Sequence, residues 1–279
     1  MAIITVSRGD MSGGMDFAQC LAQRLNYRCL SREVVVDAAE HLGVPQEMLF
    51  GKIEKSAGLW ERLTASRQIY LMAVQSALAD ACVSGDLVYH GHAGHLLLKG
   101  VPTLLKVRLI APMGMRVRAL MARRGLAYGA ERAYLRNVDQ ERVRWTKFLY
   151  DVDWGDPANY DLVINLADIS MEVACSMVAT IAQMPPYRST ETTRKRLADF
   201  ALACRVKFAL EQHAESPDIS FDVSADGGEV EVLAELPGSC LLVKQGGPTE
   251  QKIRTIGEGV QGVESLRVTL RRFPERMQA

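Results

Sequence analysis

Short apolar runs alternate with helical patterns over the first two-thirds of the chain. Ile3–Val6 is typical of a buried strand, and apolar residues then recur at helical spacing at Phe17, Ala18, Leu21, Ala22 and Leu25. Further strands are predicted at Leu87–Tyr89, Leu104–Ala111 and Asp161–Asn165. Because helical patterns lie between these strands, the sequence predicts an α/β fold, a parallel sheet with helices on both faces.

The predicted helices differ in length. The longest patterns run from about Ala65 to Val83, from Ala130 to Lys147 and from Met171 to Met184. A shorter helix is predicted to begin at Ser31, because serine is a favoured N-cap residue, and to end at Gly43.

Pro185-Pro186 and the polar run YRSTETTR mark the clearest domain boundary, since proline ends a helix and the run has no apolar period. We predict a domain over 1–185, a linker over 186–192 and a small α+β domain over 193–279. The small domain has the order α-β-β-α-β, with the elements Thr193–Ala214, Ile219–Ser224, Glu229–Leu233, Thr249–Val260 and Ser265–Arg272.

The composition of the chain limits which binding partners and which cellular compartment we expect. Lys plus Arg and Asp plus Glu both number 33, so no net charge recruits nucleic acid or an anionic membrane. The six cysteines show no CxxC spacing, which suits a reducing compartment. No apolar run is long enough to span a bilayer, and the chain begins with a strand pattern and not a signal peptide. We therefore expect a cytoplasmic protein.

Residues 3–18, IITVSRGDMSGGMDFA, join a buried strand to a helix through a glycine loop. Such a loop turns backbone N–H groups towards one point, where the helix dipole favours phosphate. The usual pattern GxxxxGK[ST] fails here, because Met15 and Asp16 take the lysine and hydroxyl positions when Gly9 and Gly14 are the two glycines. Matching Ser12-Gly13 to the end of the loop does not restore the pattern either. Two alternatives follow: a phosphate site, or a plain glycine turn with Asp16 as an N-terminal cap.

Two helical segments downstream are strongly basic. Phosphoryl transfer depends on positioning and on neutralising charge, which arginines provide. The arginines of these segments are Arg116, Arg118, Arg123, Arg124, Arg136, Arg142 and Arg144. The alternative for any one of them is a solvated helix face paired with Glu131, Asp139 or Glu141; as a cluster they favour phosphate.

Three histidines lie close together in HGHAGHLLLKG, at His90, His92 and His95. No cysteine or carboxylate within the segment completes a metal site, so we predict no metal ligands. The alternatives are contact with a nucleotide phosphate or base, or packing at the end of a strand.

Four segments in order resemble the cytidylate kinase-like family, relatives of the nucleoside monophosphate kinases. They are ITVSRGDMSGGMDFAQCLAQRL, CLSREVVVDAAEHLGV, LVYHGHAGHLLL and VDQERVRWTKFLYDVDWGDPANYDLVIN. The resemblance covers about residues 1–184, and the last segment is the most specific. The family's loop is typically SGG followed by a variable pair, so the missing lysine looks partly like a family trait.

The resemblance assigns roles by position. It matches Ser12, Gly13 and Gly14 to the phosphate loop, and we add the adjacent Arg8, Met15 and Asp16 to the predicted nucleotide-phosphate site. Arg32 matches the arginine of the family's DRE segment, and His92 stands where relatives carry an acceptor-binding arginine; Arg116 joins them as a predicted substrate-binding residue. Asp139 and Arg142 match the D-x-x-R of the lid, and with Arg124 they are the predicted catalytic residues.

Residues from about 190 to 279 resemble a BON domain, on RVKFALEQH, DGGEVEVLAEL and KIRTIGEGVQGVESLRVTL. The resemblance implies a small interaction module that contacts a protein partner or a small ligand and contributes no catalytic residue.

Together these features predict a nucleotide-binding protein that transfers phosphate from ATP, with Mg²⁺, to a nucleoside monophosphate. The alternative is a catalytically impaired nucleotide sensor that signals through its BON-like domain. A structural assembly protein would be favoured if Asp16 blocked the loop.

Overall fold

The apolar runs of the first unit form a parallel sheet of five described strands. They are β1 (Ile3–Arg8), β2 (Arg28–Ser31), β3 (Leu87–His90), β4 (Leu104–Ile110) and β5 (Leu162–Asn165). The strand order is β2-β3-β1-β4-β5, with every neighbouring pair parallel. The predicted sheet is therefore confirmed. This computed structural model describes residues 2–33, 35, 64–91, 93–213, 219–236 and 247–272.

The apolar pattern of the sequence did not predict β2. Ser31, predicted to cap a helix, is the last residue of this strand, and helical backbone begins at Arg32. The strand is short, and none of its four residues is fully buried, so it lacks the apolar run that identified the other strands. The predicted end of that helix at Gly43 lies outside the described residues.

Helices cover the sheet. On one face lie α1 (Gly14–Leu25) and the late helix Met171–Ala182, which pack against buried strand residues such as Val6 and Val107. On the other face, Gly94 of the four-residue helix Gly94–Leu97 lies against Thr5 of β1. The long basic patterns form the helices Met113–Arg124 and Tyr128–Tyr150, which pack on each other.

The chain divides into two compact units, Met1–Val34 with Ser84–Thr190, and Val35–Val83 with Glu191–Ala279. The division at Thr190 falls inside the predicted linker over 186–192. Residues 35–83, however, group with the C-terminal part and not with the predicted domain over 1–185. The second unit is thus assembled from two separate stretches of chain.

In chain order the described helices are α1, α2 (Thr64–Val83), α3 (Gly94–Leu97), α4 (Met113–Arg124), α5 (Tyr128–Tyr150), α6 (Met171–Ala182), α7 (Glu191–Gln212) and α8 (Pro248–Glu258). Within the second unit α2 packs along α7: Ala79 meets Ala201 and Cys204 in a buried cluster. Asp80 and Arg205 form an ion pair across the same contact. Over the described ranges, no helix is both long enough and apolar enough to cross a membrane.

The C-terminal part of the second unit has the predicted order α-β-β-α-β. Its strands are β6 (Ser220–Asp226), β7 (Glu229–Leu236) and β8 (Ser265–Arg272), in the order β6-β7-β8. The first pair is antiparallel and the second parallel. Gly227 and Gly228 turn the hairpin with φ values of 58° and 92°, a backbone conformation that favours glycine. Residues of α7, α8 and all three strands form one core.

Candidate phosphate-binding site

The loop after β1 closes on itself before α1 begins. The Ser12 hydroxyl donates a hydrogen bond to the Gly9 carbonyl at 2.7 Å. Met11 and Gly13 both have left-handed backbone, with φ of 57° and 75°. The first helical hydrogen bond runs from the Phe17 N–H to the Gly13 carbonyl. The three preceding N–H groups therefore have no partner within the helix and form a site suited to an anion.

Asp16 does not cap α1. The N-cap residue is Gly13, which has no side chain to accept a hydrogen bond. Asp16 is exposed, and no hydrogen bond joins its carboxylate to any residue in the part of the chain that the structure describes. The alternative in which Asp16 caps α1 is therefore wrong for the described residues.

Arg8 lies across the start of α1. A Cβ atom placed on Gly14 would lie 1.7 Å from Arg8 Cδ, so the Arg8 side chain occupies the space that any other residue at 14 would need. The Arg8 Nε atom is buried and has no hydrogen-bond partner. Met15, at the usual lysine position, is 43% exposed and carries no charge. The guanidinium of Arg8 therefore lies beside the free N–H groups of the loop.

Two further arginines reach the same loop from α4 and α5. Arg116 donates from Nε to the Asp10 carbonyl at 2.7 Å and forms two hydrogen bonds with Asp139, at 2.7 and 2.9 Å. Arg142 donates to the carbonyl of Arg8 at 3.1 Å. Of the predicted site residues, the structure brings Arg8, Ser12, Gly13, Gly14, Met15, Asp16, Arg116, Asp139 and Arg142 together around the loop.

Charged side chains of both signs lie at the loop. Burial lowers the pKa of the Arg142 guanidinium, and the neighbouring Arg8 and Arg116 lower this pKa further, whereas Asp10 and Asp139 oppose the change. Three guanidinium groups thus face these two carboxylates and the exposed carboxylate in the first turn of α1. The free N–H groups at the start of α1, and not an excess of positive charge, make the site suited to an anion such as phosphate.

Arg124 lies apart from this cluster. It is eight residues beyond Arg116 in α4, a rise of about 12 Å along a helix. Its Nη1 lies 3.6 Å from the Glu131 carboxylate, and its guanidinium lies 4.6 Å from the centre of the Tyr134 ring. The structure therefore gives Arg124 an ion pair and an aromatic contact, away from the other two predicted catalytic residues.

The predicted substrate-binding residues are less fully placed. Arg32 is exposed and follows β2, which β3 separates from β1. His92 lies outside the described residues. The prediction that these two residues bind a substrate remains a prediction.

His90 and His95 were not among the predicted site residues, yet both are buried at the end of the sheet that carries the loop. His90 pairs with Val6 in the sheet and its Nδ1 has no partner; burial and then Arg8 lower its pKa, while Glu33 opposes this. His95 Nδ1 lies 3.0 Å from the Ser7 hydroxyl, and the centre of its ring lies 4.6 Å from that of the Tyr160 ring, with the two planes tilted by 40°. Burial, with Lys106 and Arg108, lowers the pKa of His95 to about 4, so this imidazole is neutral.

In the ranges that the structure describes, no three His, Cys, Asp or Glu side chains are grouped as metal ligands.

The segment DWGDPANYD folds as a closed loop on β4. Arg108 and the Tyr160 hydroxyl both donate to the Trp154 carbonyl, and the Arg108 guanidinium lies 4.4 Å from the centre of the Trp154 ring. Asp156 caps the following turn by accepting from the Ala158 N–H at 2.9 Å. This part of the most specific segment of the family resemblance is thus a structural connection between α5 and β5.

A parallel sheet with a glycine loop at the end of its central strand, and arginines from two helices on that loop, defines a kinase-like α/β protein. Residues 3–168 match the family model for the cytidylate kinase-like family, and the chain belongs to that family.

Solved structures are similar to this region to different degrees. An uncharacterized protein from Eubacterium ventriosum ATCC 27560 has a TM-score of 0.52 at 18% identity, covering 64% of this chain and 97% of that one. A gluconokinase from Sinorhizobium meliloti 1021 has a TM-score of 0.41 at 14% identity, over 64% of this chain and 91% of its own. A shikimate kinase from Bacteroides thetaiotaomicron has a TM-score of 0.40 at 11% identity, over 66% and 99%. The first of these supports the fold alone.

Among curated proteins, one from Corynebacterium glutamicum named uronate isomerase is 32% identical over 101 residues. The match covers 36% of this chain and 19% of that protein. The chain therefore spans about a fifth of the length of this curated relative, and the name is a property of that protein alone.

Proposed function

We propose that the first unit binds ATP through the loop Gly9–Gly14 and transfers its terminal phosphoryl group to a nucleoside monophosphate. One observation carries the proposal. Three arginines meet at the loop: Arg8 lies beside the free N–H groups at the start of α1, and Arg116 and Arg142 donate hydrogen bonds to backbone carbonyls there. Family membership supports the same class of reaction.

Each residue has a distinct part in this mechanism. The N–H groups at the start of α1 hold the phosphates of the donor. Arg8 supplies the positive charge that a lysine provides in the usual loop. Arg142 neutralises charge on the transferred group, and Asp139 orients Arg116 against the loop backbone.

The residues present also fit a magnesium ion. Mg²⁺ keeps several waters and binds through one or two carboxylates together with substrate phosphates. Asp16 is the exposed carboxylate at the start of α1. Mg²⁺ would supply neutralisation of charge on the donor phosphates.

A second candidate function is a nucleotide sensor with little or no turnover. The exposed Met15 at the lysine position favours this candidate. The resemblance of the C-terminal region to a BON domain suggests that the nucleotide-bound state is passed to a protein partner or a small ligand. In both candidates we place the protein in the cytoplasm, on the cysteine pattern of its sequence.

The two candidates are separated by testing the full chain with ATP, Mg²⁺ and a panel of nucleoside monophosphates, beside a binding titration of each nucleotide. Turnover that Arg142→Ala abolishes supports the kinase. The matched control is Arg144→Ala, because Arg144 lies on the same helix but is exposed and paired with Glu141. Tight binding without turnover supports the sensor, and absence of nucleotide binding overturns both.

A further inference from the structure

Two thiols meet between the helices that flank the loop. Cys20 of α1 and Cys175 of α6 have their sulfur atoms 2.6 Å apart, and both are free cysteines. Cys20 is partly exposed, whereas Cys175 is completely buried. Cys20 is therefore the more accessible residue of the pair, and the sulfur of Cys175 already lies against its own.

Both helices also contact the loop or its neighbourhood. Gly13 is the N-cap of α1, and Met171, the first residue of α6, has its Cε atom 2.7 Å from where a Cβ on Gly13 would lie. Arg24 of α1 and Glu172 of α6 form an ion pair between the same two helices. A covalent bond between α1 and α6 would therefore restrict motion directly beside the phosphate loop.

We propose that Cys20 and Cys175 form a reversible disulfide that joins α1 to α6 and makes the phosphate loop sensitive to redox state. The redox sensitivity of the phosphate loop rests on the proposed function, since it needs a ligand at the loop. The oxidant is a small disulfide of the glutathione class. Disulfides of this kind are transient in reducing compartments, where they serve as sensors.

The reaction balances with glutathione disulfide. The Cys20 thiolate attacks one sulfur of the oxidant, which forms a mixed disulfide and releases one glutathione thiolate. The Cys175 thiol then loses its proton and displaces the second glutathione, so the protein pair is oxidised by two electrons and the oxidant becomes two thiols. Burial, together with the adjacent Cys20, raises the pKa of Cys175 to about 12, which makes the second displacement the slow step.

The test uses the full chain incubated with glutathione disulfide, alkylated without reductant, digested and analysed by mass spectrometry. We expect a Cys20–Cys175 linked peptide that dithiothreitol removes. Cys20→Ser and, as a second variant that keeps the buried site apolar, Cys175→Ala should each abolish it. Cys29→Ser is the matched control, because Cys29 is likewise a partly exposed free cysteine of the first unit. The proposal is overturned if Cys29 becomes glutathionylated while Cys20 and Cys175 stay unlinked.

A second measurement tests the effect on the loop. Oxidation should change the affinity for ATP by about fivefold or more, the lower end of usual coupling between two sites, and the change should be absent in Cys20→Ser. A linked peptide with unchanged affinity would overturn the redox sensitivity of the loop. If the reduced chain binds no ATP, the proposed function fails. Mass spectrometry still tests, independently of that result, whether the disulfide forms.

Discussion

Gly14 has no side chain, and Arg8 lies in the space that a side chain would fill. The free N–H groups at the start of α1 and the unpartnered Nε of Arg8 are brought together by this one position. Met15 follows at the usual lysine position without a charge. At the scale of single residues, the cation of the loop therefore comes from the strand before it and not from the helix after it.

Gly14→Ala should displace Arg8, because the added methyl group would lie 1.7 Å from Arg8 Cδ. Loss of a charged hydrogen-bond donor typically costs a factor of roughly 10 to 100 in affinity. We expect that loss in a calorimetric titration with ATP. Gly129→Ala is the control, since a Cβ on Gly129 meets nothing within 4 Å. Unchanged ATP affinity in Gly14→Ala would refute the role of Arg8.

The buried, neutral His95 predicts a dependence of stability on pH. Its pKa is about 4 in the folded protein, against an ordinary value of 6.5, so the unfolded chain binds more protons between these values. The free energy of unfolding should therefore fall as pH is lowered from 6.5 towards 4, by about 3 kcal/mol for His95. Urea denaturation at several pH values measures this. His95→Gln should flatten the dependence and leave the smaller part due to His90, whose pKa is lowered too; a slope equal to that of the unsubstituted chain would count against the assignment.

At the scale of elements, α4 and α5 reach the loop through one ion pair. Arg116 of α4 is buried and holds both the Asp10 carbonyl and the Asp139 carboxylate of α5. Met11 of the loop packs beside Val117, Leu120 and Leu135 from the same two helices. The helix pair is therefore fixed to the loop by charge and by apolar contact together.

Asp139→Asn should destabilise the first unit, because it leaves the buried Arg116 without its counter-charge. We expect a loss of about 3 kcal/mol in the free energy of unfolding, because removing one partner of a buried ion pair leaves the other charge buried and uncompensated. Urea denaturation followed by tryptophan fluorescence measures the change. Glu141→Gln removes a surface pair on the same helix and should cost under about 0.5 kcal/mol. Equal effects of the two substitutions would contradict this account.

The strands β1 and β4 were predictable because both are rich in apolar residues: β1 begins with the run Ile3–Val6, and in β4 apolar residues surround Lys106 and Arg108. β2 was not predictable in this way, since its four residues are polar or partly exposed. In the site, the loop was evident from local spacing, whereas the D-x-x-R of α5 was identified through the family resemblance. The pairing of Ser7 with His95 joins residues 88 apart in sequence, and spacing carries no signal for such a contact.

At the scale of the whole molecule, the two units do not follow each other along the chain. Residues 35–83 interrupt the first unit and complete the second. The helix α2 buries Ala79 against α7 within that second unit. Cleavage at the predicted linker would therefore leave residues 35–83 of the second unit attached to the first unit.

A chain shortened to residues 1–190 should be less stable than the full chain and prone to aggregate, because α2 loses the helix that covers it. Size-exclusion chromatography and thermal denaturation measure both effects. The control is the full chain with a protease site between Thr190 and Glu191: after cleavage both pieces are present and should stay associated. A monomeric 1–190 fragment as stable as the full chain would refute the prediction.

The interrupted arrangement also sets an order of events during translation. Residues 64–83 leave the ribosome well before Glu191–Gln212 are synthesised. At a translation rate of ~5–20 residues per second, roughly ten seconds separate the synthesis of α2 from that of α7. The five strands of the first sheet are all complete before α7 begins. We expect the nascent chain to form its sheet first and to carry the apolar side of α2 uncovered until α7 emerges, which makes that interval the time at which a chaperone would be needed.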